Sequence, residues 1–348
     1  MKKIVALLAI ALVLSGCSDA KETVENQTAN DVSTTDSLDD SFYRVVNFNT
    51  NLSREDYYNA FGNTMDFQTI GRELQILSTD HFSTNDYYMS EGQYLKTDDM
   101  NQLLKRSEDT SKYPYTLQAQ RGTTIGGVAN PIMVSTVHEQ DYYEKNGSEY
   151  VLKGLSLAIV LDPRDEKNER LDTSLDESLV VDFGREAISK LYKYLQSKKD
   201  LKDIPANICV YYATNTNESD INGRYILKSY CDGSVGNIET LDYKNYMFTS
   251  TEATAADEDT ASQFEIFKSN MKKAATEAVG VIGYGRYKNG QIQSMKINEL
   301  LYLISTAADE LNTQFSGFDI KVLVSSQDQL EALIVKDKGE DAKSILLY

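Results

Sequence analysis

The sequence predicts an α+β protein: two related strand–strand–helix–strand–strand repeats with mainly antiparallel sheets, preceded by an irregular and helical N-terminal region. Three observations predict it. Tyr143-Glu144-Lys145-Asn146-Gly147 recurs approximately as Arg286-Tyr287-Lys288-Asn289-Gly290, and Asn-Gly favours a tight hairpin because both residues tolerate positive φ. An extended segment follows each copy, at 150–161 and 291–297, and then an amphipathic helix. Its apolar face carries Ala187, Ile188, Leu191, Tyr194 and Leu195 in the first copy, and Leu300, Ile304, Ala307, Ala308, Leu311 and Phe315 in the second. Two more strand-like runs then follow, at 206–214 and 224–231 in the first copy and at 318–325 and 330–336 in the second. Helices on one face of a mainly antiparallel sheet give an α+β architecture.

Taken in order, residues 1–16 read as a lipoprotein signal peptide. Residues 17–40 read as a lipidated cysteine with a disordered acidic tether, and 41–140 as a mixed N-terminal region. Residues 141–232 form the first repeat, 233–279 a linker and helix, and 280–348 the second repeat. Within 41–140, residues 56–67 and 97–105 are candidate helices, and 108–131, with Pro114, Gly122, Gly126 and Gly127, looks irregular. The first repeat carries an extra segment at 163–182 before its helix. Residues 249–262 are acidic, small and Thr/Ala-rich, which predicts a loop. Residues 263–278 space Phe264, Phe267, Met271 and Ala274 by three and four, which predicts a helix.

The leader has a charged start, Met1-Lys2-Lys3, and an uncharged apolar run over residues 4–14. At about 1.5 Å per residue that run spans roughly 16 Å, well short of a bilayer core of about 30 Å. It ends in Leu14-Ser15-Gly16-Cys17, small residues followed directly by cysteine, which is the pattern of a lipoprotein box. Leu14, Ser15 and Gly16 would be read by signal peptidase II, and Cys17 would take the lipid. Each buried methylene contributes about 0.8 kcal/mol, so two or more acyl chains anchor nearly permanently. The expected location is the extracellular face of the cell membrane. Residues 18–40 contain no aromatic residue and are rich in Asp, Glu, Ser, Thr and Asn, too polar to bury a core. Such a tether reaches roughly 25–30 Å.

Net charge is −18, or −20 once Lys2 and Lys3 leave with the leader. Nucleic acid and anionic lipid would both be repelled by such an average surface. Besides Cys17 the cysteines are Cys209 and Cys231. If their strands form a hairpin centred near Asp220 they stand opposite each other, and an exported location permits a disulfide. Two small buried hydrophobes is the other reading.

Signatures of known chemistry are absent. The two histidines, His81 and His138, lack the spacing of a zinc-protease helix, and neither a nucleophile elbow, a Walker loop nor a dinucleotide fingerprint occurs. Asp162, Asp165 and Glu166, and Asp257, Glu258 and Asp259, read as solvated acidic loops without EF-hand spacing. No enzyme, cofactor or metal site is expected. Tyrosine pairs at 57–58, 87–88, 142–143 and 211–212 would line a peptide or glycan groove in a wall-facing binding protein. Strand alternation instead predicts one core and one surface residue in each pair.

Five short segments, taken in order, resemble the CamS lipoproteins of Gram-positive bacteria, known as sex pheromone precursors. They are Glu91-Gly92-Gln93-Tyr94-Leu95, Glu139-Gln140-Asp141-Tyr142-Tyr143, Leu201-Lys202-Asp203-Ile204-Pro205, Thr254-Ala255-Ala256-Asp257 and Ala278-Val279-Gly280. The resemblance implies a lipid-anchored surface protein whose cleaved signal peptide is trimmed to a short apolar conjugation pheromone. Its partners would be lipoprotein-processing enzymes and a receptor for the released peptide. The corresponding stretch is Ala9-Ile10-Ala11-Leu12-Val13-Leu14-Ser15-Gly16, ending at Ser15 or Gly16. Ala11 stands where the family has an aromatic residue, a truncation that costs about 3–5 kcal/mol in a closely packed pocket.

Overall fold

The computed structural model describes residues 43–46, 48, 67–108, 111–214, 216, 223–274, 281–300, 304–326 and 329–346. The leader, Cys17 and the tether lie outside the described residues, as does most of the candidate helix at 56–67.

The N-terminal region contributes β1 (Arg44–Val45), α1 (Phe67–Ser78), β2 (Tyr88–Glu91), α2 (Thr97–Leu104) and a small hairpin of β3 (Thr124–Ile125) and β4 (Val128–Ala129). Then come β5 (Ile132–Asn146), β6 (Glu149–Arg164), α3 (Glu177–Ser197), β7 (Ala206–Tyr212), β8 (Arg224–Cys231) and β9 (Glu239–Thr240). The remainder is β10 (Tyr243–Met247), α4 (Thr251–Ala256), α5 (Glu258–Ala274), β11 (Val281–Lys288), β12 (Gln291–Leu300), α6 (Ile304–Gln314), β13 (Asp319–Ser326), β14 (Gln329–Lys336) and β15 (Lys343–Leu346).

The protein is α+β. A seven-stranded sheet runs β1-β2-β5-β6-β7-β8-β9, and a six-stranded sheet runs β10-β11-β12-β13-β14-β15. From β2 onward the first sheet matches the second strand for strand. Every neighbouring pair is antiparallel except the central one, β6 with β7 and β12 with β13. A parallel neighbour needs a crossover, and α3 and α6 supply it.

The Asn-Gly turns differ in register. Lys288 pairs with Gln291, so Asn289 and Gly290 are the two turn residues, with φ of 52° and 73°. That is the positive pair of a type I′ turn. In the first sheet Asn146 itself pairs with Glu149 and the turn is Gly147-Ser148, with φ of 63° at Gly147 alone. One positive φ at the first turn position is the type II′ pattern, which needs glycine there. Asn146 is therefore the last strand residue rather than a turn residue.

Several expected boundaries move. β5 runs unbroken through residue 140, β6 extends to Arg164, and α3 starts at Glu177, so the extra segment at 163–182 shrinks to a loop. The stretch at 249–262 is not a loop. It holds α4 and the start of α5, because Ser250 Oγ accepts from Ala253 N and Asp257 Oδ1 accepts from Thr260 N, capping two helices in succession. Ala253 and Ala261 then bury in the core of the second sheet.

The first sheet is covered on both faces. α3 packs with Leu155, Leu157, Ile159, Ile208 and Val210 on one. On the other, α1 buries Ile70, Leu74 and Leu77 against Ala158, Val160, Cys209, Tyr211 and Tyr225. Polar bonds pin α1 there: Tyr225 Oη donates to Ile70 O (2.8 Å) and Gln140 Nε2 to Gly71 O (2.8 Å). In the second sheet α4, α5 and α6 share one core with Met295, Ile297, Ile320, Val322 and Ile334. Where the sheets meet, Arg286 pairs with Glu73 of α1 at 2.5 Å and lies over the Tyr243 ring, and Asn245 Nδ2 donates to Gly223 O.

Candidate functional site

Two carboxyl groups lie buried in the first sheet, in the polar run His138-Glu139-Gln140-Asp141 of β5. β5 alternates, so Glu139 and Asp141 point to the same side. β2 ends at Glu91, opposite Gln140. The chain then crosses over the carboxyls and delivers four consecutive N–H groups. Gly92 N donates to Glu139 O (3.0 Å), Gln93 N to Asp141 Oδ2 (2.8 Å), Tyr94 N to Glu139 Oε1 (3.1 Å) and Leu95 N to Glu139 Oε2 (2.9 Å). Gly92 permits the approach, since a Cβ there would meet the Glu139 side chain at 2.5 Å.

Both carboxyls are buried, Asp141 completely. Tyr143 Oη donates to Asp141 Oδ2 at 3.2 Å, while Asp141 Oδ1 has no donor among the described residues. Burial pushes both pKa values up, Asp141 well above the usual carboxylate range, where the adjacent Glu139 charge adds to the effect. Glu139 receives two backbone N–H bonds and is the better-stabilised anion. Asp141 is the natural holder of a proton shared between them.

α2 and α3 close the segment from the other side. Asp99 Oδ2 accepts from Lys96 N (2.8 Å), and its Oδ1 accepts from Tyr194 Oη and Lys198 Nζ, both at 2.5 Å. Burial alone would raise the Asp99 pKa; the bonds from Lys198, Tyr194 and Lys96 N bring it below its ordinary value. Beyond α3, Leu201 is buried and Leu155 N donates to Pro205 O (3.0 Å). The segments at 91–95 and 139–143 thus bond each other directly on β5, and the one at 201–205 bonds the neighbouring strand β6. The fourth, ending at Asp257, joins α5 to β11: Asp257 Oδ2 accepts from Tyr287 Oη at 3.0 Å. The fifth, at 278–280, lies outside the described residues.

The other sequence candidates resolve as follows. Cys209 and Cys231 are free and buried. The pairing is Cys209 with Lys228 and Ala206 with Cys231, a three-residue shift from the expected opposition. An odd shift turns the two thiols to opposite faces, Cys209 toward α1 and Cys231 toward α3, so of the two alternatives the disulfide is not formed and the cysteines are small buried side chains. Burial pushes the Cys209 thiol up to about 12. Asp162 accepts twice from Arg164 (2.9 and 2.6 Å) and is buried, not solvated, while Asp165 Oδ1 closes its own turn onto Lys167 N and Glu169 N. Tyr142 and Tyr143 are both buried, on opposite faces, as are Tyr211 and Tyr212. One-core-one-surface alternation fails there because both faces of the sheet are covered at these positions, which buries all four rings. Tyr57 and Tyr58 lie outside the described residues. His81 stacks on Tyr230, and no group of three potential metal ligands occurs among the described residues. No described helix is long and apolar enough to cross a membrane.

The family model for the CamS sex pheromone cAM373 precursor matches residues 48–342. The chain belongs to that family. A crystal structure of a sex pheromone precursor from Lactobacillus salivarius subsp. salivarius UCC118 is similar, with TM-score 0.76 and 20% identity over 90% of this chain and 98% of that one. The C-terminal domain of the sex pheromone staph-cAM373 precursor from Staphylococcus aureus gives TM-score 0.64 and 20% identity, over 79% of this chain and 94% of that one. At that identity the two likenesses establish the fold alone. No curated protein shows significant sequence similarity to the chain. Four of the five segments that resemble CamS proteins fall on the packing contacts described above.

Proposed function

We propose that the chain is a surface lipoprotein of the CamS type, cut before Cys17 and held by acyl chains on its sulfur. Its released leader is trimmed to a short apolar pheromone ending at Ser15 or Gly16. The observation that carries this reading is Leu14-Ser15-Gly16-Cys17 closing a short uncharged run, in a chain whose family is that of a pheromone precursor. The folded body acts without catalysis in this reading. The carboxyl pair supports that, because both groups are buried beneath the 91–95 segment and three of their four oxygens accept backbone N–H bonds from it.

Cys17→Ser tests the anchor: the chain should move from the membrane fraction to the medium and lose the mass of its lipid. Unchanged membrane retention would overturn the anchoring. Synthetic Ala9–Ser15 and Ala9–Gly16, applied to enterococcal responder cells carrying a responsive plasmid, test the peptide. Clumping or transfer with either one supports the pheromone, and silence from both ends that half of the reading.

A further inference from the structure

Residues 92–96 belong to no strand or helix. They span from β2, which is paired with β5, to α2, whose start is fixed by Lys96 N on Asp99 and by Asp99 on Tyr194 and Lys198 of α3. Between those two anchors the N–H groups of Gln93, Tyr94 and Leu95 all end on the Asp141 and Glu139 carboxyls. The neighbouring strands bring no charge to the pair: Ser90 and Leu155 stand opposite Asp141, and Leu157 opposite Glu139. Tyr143 of β5 donates to Asp141, and Tyr94 of the segment feels both carboxyls and Asp200. Lys198 of α3 is the one cation among these groups; it acts on Glu139 and is already bonded to Asp99. Asp141 Oδ1 is buried and has no donor among the described residues. Two adjacent buried charges with one bare oxygen are a costly arrangement. A single proton removes one of the charges and lets the two carboxyls, which lie within hydrogen-bond reach, bond each other.

We propose that residues 92–95 form a proton-held latch: one proton shared by Glu139 and Asp141 keeps the segment down, and release of that proton to solvent lets it lift. The motion is local. β2 stays paired with β5, and α2 stays pinned because the bonds from Lys198, Tyr194 and Lys96 N hold the Asp99 carboxyl below its ordinary value, so it keeps its charge. Lifting lets water reach both carboxylates and uncovers Leu95, which is buried when the latch is closed. With the segment open Asp141 returns to an ordinary acidity, near about pH 4, whereas the closed form keeps the proton to higher pH. Each pH unit between those two values therefore favours opening by up to about tenfold. The latch depends on neither the lipid anchor nor the pheromone.

The test is amide hydrogen exchange from about pH 5 to about pH 8, on the chain from residue 17 carrying Cys17→Ser so that the whole folded body is free of lipid. Protection of the Gln93, Tyr94 and Leu95 amides, corrected for the intrinsic pH dependence of exchange, should fall at least about tenfold over that range. Low urea should leave those amides unchanged while it speeds exchange at Val160 and Val210 in the core, which separates lifting from global unfolding. Asp141→Asn should make the protection of 93–95 flat with pH. Glu139→Gln, which removes the neighbouring charge, should make the fall level off at lower pH than in wild type. Circular dichroism identifies any variant that loses its fold, and the wild-type profile decides without it. The proposal is overturned if wild-type protection at 93–95 is flat over the range, or falls only together with the core amides and with their urea dependence. It is equally overturned if folded Asp141→Asn keeps the wild-type fall, or if folded Glu139→Gln leaves the profile where it was.

Discussion

The two sheets follow the same path with opposite treatment of one face. β6 and β7 carry Ala158, Val160, Cys209 and Tyr211 where α1 lies, all buried. The matching positions on β12 and β13 carry Lys296, Asn298, Lys321 and Leu323. Topology therefore does not decide whether a sheet is two-faced or one-faced. Side-chain chemistry at alternate positions does, and it agrees with whether a helix has been added on that side.

Breaking the cover should have the largest effect. Leu74→Ala in α1 removes a fully buried side chain from the first sheet and should cost about 2–5 kcal/mol in chemical denaturation. Leu333→Ala, on the open face of the second sheet, should cost no more than about 1 kcal/mol. Equal costs would mean the second face is covered too.

Gly92→Ala tests the fastening of β2 over β5. Its Cβ would meet the Glu139 side chain at 2.5 Å, so overpacking should cost about 1–3 kcal/mol. The carboxyls beneath it give a pH signature of unusual sign. The folded pKa of Asp141 is raised, so the native state binds more protons than the unfolded one between about pH 4 and that raised value. Its contribution is fully present below about pH 4 and is lost as pH rises through the folded value. Asp141→Asn keeps an acceptor for Gln93 N and offers a fixed donor to Glu139. It should flatten that decline in a stability–pH series while leaving stability at acid pH nearly unchanged. The smallest effect belongs to the open face: Lys321→Thr puts a better strand former at an exposed position and should stabilise by less than about 1 kcal/mol in denaturation.

Much of this contrast was legible in the sequence. Residues 155–161 and 206–212 are nearly continuous apolar runs, as expected of strands buried on both faces, whereas 281–288 and 319–324 alternate. Helix periodicity placed α3 and α6, and the runs at 224–231 and 330–336 fell on β8 and β14 within a residue. Three things were not legible. α1 shows a modest apolar stripe, and its role depends on sheet residues about 80–160 positions later. The cysteine register depends on where a polar loop turns and on the irregularity at Val210/Tyr211, which moved the pairing by three. The burial of Glu139 and Asp141 was the third, because the N–H groups that make it tolerable come from 91–95, more than forty residues away.

Hydroxyl-radical footprinting of the unbound chain tests the contrast between the two faces most directly. The account predicts rapid labelling of Ile282, Leu323 and Leu333 and strong protection of Val160, Tyr211 and Leu74. Protection of Ile282 and Leu333 equal to that of Val160 would contradict it.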